Sequence, residues 1–247
     1  MSYQMSCAVV GVLLCPLTMY AGEPPAPFTI SIEGVREVCV QGTSSADYWG
    51  PVLQNQGLEL VVKDGFANVL ICATQLKWGG ARFQELIVSV RGQTPGGGEW
   101  ADGYYLVGAL NSKKSFAWVE RRRNHAPYEH GDIVLEYRDG ASRMEASLDD
   151  VPMVKMSRVG GDSPGQRQEV NFLGPIFLPG GLTSHSVFYA ALEGVAILIP
   201  FQAGVDVMEL GPSTDGVTRA LVDSHFVPTD WIIKEDATHR KSDTVTW

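Results

Sequence analysis

Apolar and polar positions along this chain fall in short alternating runs more often than they recur at helical spacing. Residues 28–32, 58–62, 85–90, 104–107, 133–137 and 195–199 are rich in β-branched, aromatic and aliphatic side chains and predict strands. Gly, Pro and Asp punctuate between them, at Lys63-Asp64-Gly65, Pro95-Gly96-Gly97-Gly98, Arg138-Asp139-Gly140 and Pro179-Gly180-Gly181. Asp139-Gly140 between two extended runs predicts a hairpin. A short helix is expected over residues 46–56, and Ser115-Phe116-Ala117-Trp118-Val119 reads as another buried strand. Residues 160–170 read as a loop or flap, and the polar stretch 238–247 as a fraying tail. The pattern predicts a mainly β fold over 1–247 as a single domain, a sandwich or closed barrel with a few short helices.

Two places carry candidate chemistry. Alternation over 85–90 puts Glu85, Ile87 and Ser89 on one face and Leu86, Val88 and Val90 on the other. If Glu85 faces the interior, burial raises its pKa toward neutral and makes it a general acid or base. The second place is the segment from Glu120 to Gly131, which packs three arginines, two histidines, a tyrosine and two glutamates behind an apolar run. Arg121 offers a two-pronged fork for a carboxylate or an enolate oxygen. Strand alternation would aim Arg123 the same way and Arg122 oppositely. Tyr128 could donate a proton, Glu129 could act as a base or as counter-ion to an arginine, and His125 could titrate near neutrality. Trp118 and Tyr105 are the aromatic candidates for contact with a substrate, although such side chains more often fill a core.

Composition narrows the partners. The chain has 247 residues and a net charge of −9, which disfavours nucleic acid. No metal-ligand spacing occurs: there is no CxxC pair, and His125, Glu129 and His130 match no established pattern. Gly96-Gly97-Gly98 lacks the following helix of a phosphate cradle, so no cofactor is expected. Cys39 and Cys72 lie in apolar runs and read as buried free thiols. The apolar stretch 7–21 is too short to span a bilayer, and no Lys or Arg precedes Arg36. The expectation is a cytoplasmic protein with residues 1–15 as an extension, against a minority alternative of secretion after removal of residues 1–21.

The order of several segments resembles the acetoacetate decarboxylase superfamily. Pro16-Leu17-Thr18 and Pro25-Ala26-Pro27-Phe28 look like its Pro-rich entry. Phe83-Gln84-Glu85-Leu86 looks like its aromatic-x-Glu strand, and Gly103-Tyr104-Tyr105-Leu106 followed by 115–131 looks like the segment ending Gly-Arg-Glu-x-x-Gly-Tyr-Pro-Lys-Lys. Residues 171–179 and 217–233 look like its last third. The resemblance implies a β-barrel-like core of double-sheet type with a central pocket. It places Glu85 and Arg121 inside that pocket, and it makes a homo-oligomer possible.

The departures shape the functional expectation. Arg121 and Pro127 match the signature, but its two lysines fall on Tyr128 and Glu129. The family's Schiff-base nucleophile is a lysine whose neighbour lowers its pKa, and neither Tyr nor Glu can form an imine. Lys113 and Lys114 lie about 15 residues upstream. A second pocket carboxylate of the family would fall near Leu70 or Ile71. The reading is therefore a lyase or isomerase without a Schiff base, performing dehydration, aldol-type ring closure or another cyclisation beside a carbonyl. Its substrate would be an oxo-acid or polyketide-like small molecule, in a setting of secondary metabolism. The alternative is a non-catalytic small-molecule binder using the same pocket.

Overall fold

The computed structural model describes residues 19–20, 27–97, 102–138, 140–160, 165–180, 186–212 and 214–246. The elements run β1 (Met19–Tyr20), β2 (Phe28–Ser45), α1 (Ala46–Gln54), β3 (Glu59–Leu60), β4 (Val62–Lys63), β5 (Phe66–Trp78), β6 (Ala81–Gln93) and β7 (Gly103–Asn111). They continue with α2 (Lys114–Arg123), β8 (Tyr128–His130), β9 (Asp132–Arg138), β10 (Ala141–Leu148), β11 (Val151–Arg158), β12 (Gln166–Glu169) and β13 (Phe172–Leu178). Last come β14 (Ser186–Glu193), β15 (Val195–Pro200), β16 (Val207–Leu210), α3 (Gly216–Asp223), β17 (Val227–Ser242) and β18 (Val245–Thr246).

The long strands form an irregular closed sheet. β17, β2, β5, β6, β7, β13 and β14 neighbour one another in that order, and β14 pairs back onto β17. Turn chemistry builds the central hairpin: Gly79 and Gly80 both take positive φ between Trp78 and Ala81, the two-residue turn that matches strand twist. β7 and β13 meet in parallel, and there a Cβ on Gly103 would lie 2.2 Å from the Pro175 carbonyl oxygen. Only glycine permits that approach.

A second sheet, in the order β16-β11-β10-β9, packs on one face of the first. Strand alternation decides what each face carries. Val38, Val40, Ile71, Ala73, Leu86, Val88 and Val90 point at Ile133, Met144, Met153, Val154 and Met156 of the second sheet and form the main core with them. The intervening residues point the other way, into a cavity within the ring. The expected mainly β, double-sheet architecture is what the chain adopts.

Three sequence expectations need correction. Residues 115–119 are not a strand but part of α2. The polar stretch from 238 does not fray: β17 continues to Ser242, and β18 pairs with β14. Cys39 and Cys72 are not free thiols, because antiparallel β2 and β5 set them directly opposite and they form a disulfide. The helix expected over 46–56 is present as α1, capped by the Ser45 side chain on the Tyr48 amide. Arg138 pairs with Ala141 across the expected hairpin, although Asp139 itself lies outside the described residues. So do the 1–15 extension and residues 161–164 of the expected flap, whose later part is β12. Among the described residues no helix is long and apolar enough to cross a membrane.

Candidate active site

A single cross-strand row organises the cavity. Lys234 pairs with Glu37, Glu37 with Thr74, Thr74 with Glu85, and Glu85 with Asn111, so five strands each place one polar residue side by side. The next row on the same face reads Ile232, Cys39, Cys72, Ile87, Ala109 and Tyr128. Directly opposed residues on one face of a sheet lie within side-chain reach of each other. The cavity holds about 410 Å³ and its remaining walls are mainly apolar, including Leu70, Phe83, Leu106, Phe172 and Phe188.

At one end stands Glu85. Asn111, fully buried, donates from Nδ2 to Glu85 Oε1 at 2.8 Å. The Asn111 Oδ1 accepts the Lys113 amide at 2.7 Å, which fixes the amide orientation. The Tyr128 hydroxyl also donates to Glu85. Burial, and after it the charge of Glu120, pushes the Glu85 carboxyl up to about 7, although Lys241 and the two hydrogen bonds oppose the shift. Burial and the neighbouring Glu85 hold the Tyr128 hydroxyl well above its ordinary range, so it stays a proton donor.

α2 closes this end. Phe116, Val119, Glu120 and Arg123 follow one another at spacings of three, one and three, so one helical face lines the cavity. Glu120 reaches across to β17, where Lys241 Nζ lies 2.7 Å from its Oε2, and Asn124 donates to the same oxygen at 2.8 Å. Lys241 also sits 4.4 Å from the centre of the Phe188 ring.

At the other end Glu37 lies 3.1 Å from Lys234 Nζ and 3.0 Å from His239 Nε2. Burial alone would raise the Glu37 carboxyl, but Lys234 and then His239 outweigh it and hold the group well below the usual carboxylate range. Glu37, Cys39 and Cys72 could also bring one ligand atom each to within 4.8 Å of one another. Their thiolates are tied up in the disulfide and Lys234 occupies the carboxylate, so this set does not fit a metal ion as it stands.

The expected site residues divide sharply. Glu85 and Tyr128 come together in the cavity, and Arg123 reaches its lining from the exposed end of α2. Arg121, placed inside by analogy, is exposed on the outer face of α2, because a helix turns by 3.6 residues where a strand would have alternated. Trp118 points outward for the same reason and is 54% exposed. His125 is the exposed left-handed residue, with φ +54°, that reverses the chain after α2. Glu129 is exposed and borders a separate cavity of about 230 Å³ against α3. Tyr105 faces the core between the sheets, and its neighbour Tyr104 faces the cavity. Sequence reasoning missed Glu37, Asn111, Lys234, His239 and Lys241, and gave Glu120 no role beyond its place in the candidate segment. The alternation that singled out Glu85 applies equally to Glu37, Cys39 and Gln41 on β2.

No family model matches the sequence, and no curated protein matches it. Solved structures do share its architecture, and they define the fold as acetoacetate decarboxylase-like. An acetoacetate decarboxylase-like enzyme from Sphingomonas wittichii RW1 superposes with a TM-score of 0.57 at 14% identity, over 88% of this chain and 92% of that one. Acetoacetate decarboxylase from Legionella pneumophila gives 0.60 at 13% identity, over 98% of each chain. Among particular proteins, the enduracididine biosynthesis enzyme MppR in complex with pyruvate gives 0.62 at 12% identity, over 91% of each. At such identities the likeness establishes the fold that the sequence motifs suggested.

Proposed function

We propose that this protein is an enzyme that performs acid–base chemistry next to a carbonyl without forming an imine, as a lyase or isomerase. The observation that carries this reading is Glu85, a carboxyl pushed up to about 7 and bonded to Tyr128 and Asn111 at the wall of a mainly apolar cavity. A carboxyl in that range can take a proton from carbon beside a carbonyl and return it to a leaving hydroxyl, as dehydration or aldol-type ring closure requires. Tyr128 supplies a hydrogen bond to the oxygen on which charge develops. An imine-forming amine needs a neighbour that frees its lone pair. Both lysines of the cavity instead sit on carboxylates, Lys234 on Glu37 and Lys241 on Glu120.

With Arg121 outside, the expected clamp on a substrate carboxylate loses its main member, and the polyketide-like half of the substrate expectation gains weight. MppR is an enduracididine biosynthesis enzyme, also observed with the condensation product of pyruvate and imidazole 4-carboxaldehyde. That supports a role in secondary metabolism for this fold. The cytoplasmic placement read from the sequence is opposed by the Cys39–Cys72 disulfide, since such bonds persist in oxidising compartments.

The test is Glu85→Gln. Turnover of carbonyl substrates should fall by about 10²- to 10⁴-fold with binding retained, and borohydride should trap no substrate on any lysine. Unchanged turnover, or a stable adduct on Lys234 or Lys241, overturns the reading. A protein that binds such compounds with no turnover to lose is the non-catalytic binder.

A further inference from the structure

We infer that Glu37, Lys234 and His239 form a second polar station that binds a second substrate oxygen, so that the substrate carries two oxygen functions separated by an apolar stretch. The inference rests on the proposed function only in taking the Glu85 end as the place where a carbonyl binds. Both stations lie in one row on one face and line one cavity. Glu37 and Glu85 are two strand positions apart with Thr74 between them, a span of roughly 10 Å. Apart from Thr74 in the row itself, the floor between the stations is apolar, because the flanking row supplies Ile232, the disulfide and Ile87.

The chemistry of the second station favours an oxygen acceptor. Lys234 is 3% exposed and carries three N–H donors, and Glu37 is the carboxylate against it. His239 approaches the same carboxylate with its side chain 15% exposed toward the cavity. A buried ion pair adds little to stability and is strongly destabilising when half is lost, so its presence in the wall of a cavity is better explained by a bound group than by folding. Glu37 already balances the charge of Lys234. Lys241 is likewise balanced by Glu120. Two lysines that are each matched by a carboxylate suit a neutral carbonyl or hydroxyl oxygen better than a second carboxylate.

The inference is tested by binding alone, using titration calorimetry of the whole protein with two probes. Decane-2,9-dione places carbonyls near both ends of a chain of about the required reach, and decan-2-one has one. The dione should bind at least about tenfold more tightly to the wild type. In the double variant Glu37→Gln/Lys234→Met, which removes both charges together, that advantage should shrink to below about twofold while decan-2-one affinity stays as it was. Circular dichroism and the melting temperature verify that the double variant folds, and His239→Leu, which keeps the ion pair, provides an independent reduction of the same ratio. Equal affinities in the wild type, no measurable binding of the dione, or a ratio that survives both variants overturns the inference. None of these outcomes requires turnover, so a failed Glu85→Gln experiment and a failed station are separate results.

Discussion

Glu85 and Glu37 occupy the same row of the same sheet, both in the cavity wall, yet they hold protons very differently. Glu85 faces another carboxylate, Glu120, and receives only neutral hydrogen bonds from Asn111 and Tyr128, so its charge is poorly supported. Glu37 has Lys234 and His239 against it and stays ionised far into acid. Both residues sit in the same cross-strand row of the sheet, although the β17 register shifts directly after the Glu37–Lys234 pair. What separates them is which strand lies next door: β17 brings cations to β2, whereas β7 brings an amide to β6. One scaffold thereby makes a proton-transfer group and a fixed charge from the same residue type.

The comparison can be broken by removing what distinguishes the two ends. Lys234→Met leaves Glu37 buried without its main counter-charge, and we expect a loss of about 3–5 kcal/mol in denaturant unfolding. The Glu37→Gln/Lys234→Met double variant should recover most of that loss. A single variant as stable as the wild type would mean that Glu37 is held by something other than Lys234.

A smaller effect sharpens the Glu85 end. Its folded pKa of about 7 lies above the unfolded value of 4.5, so the native state binds its proton more tightly than the unfolded chain does. Stability should therefore fall as pH rises from about 4.5 to about 7, and stay lowered above that. Glu85→Gln should remove this dependence and be more stable than wild type at pH 8 by about 1–3 kcal/mol, read from urea melts at pH 5 and pH 8. Parallel pH curves for the two proteins would contradict the assignment. The smallest effect concerns Arg121. On the outer face of α2 its replacement by alanine should change stability by less than about 0.5 kcal/mol and leave ligand affinity unaltered, and a large loss in either would return it to the site.

How much of this was legible in the chain depends on the range of the interaction. Glu85 could be placed because its strand alternates with Leu86, Val88 and Val90, a local signal that the second sheet merely completes. α2 could not. Its inward face reads Phe116, Val119, Glu120 and Arg123, a mixture of apolar and charged residues, because it covers a cavity and not a core, and so it leaves no hydrophobic stripe. Its aromatic and β-branched residues looked like a strand instead. The partners of Glu37 were out of reach for another reason: Lys234 and His239 lie about 200 residues away, and only the β2–β17 register brings them together. The polar C-terminal stretch looked like a tail because its side chains serve the cavity. The cysteine pairing was hidden in the same way, by a register no local pattern reveals.

The return of β14 onto β17 also has a meaning in time. The ring closes only through β17, whose residues pair with β2, β14 and β15. During synthesis the chain would carry β2, β5, β6 and β7 as an open sheet, with Glu85 already beside Asn111 but Glu37 without its cations until β17 had emerged. Pairings that distant in sequence form slowly and expose strand edges while they wait. β17 thus supplies Lys234, His239 and Lys241 and at the same moment encloses the cavity, so the ion pairs of Glu37 and Glu120 form together with the enclosure.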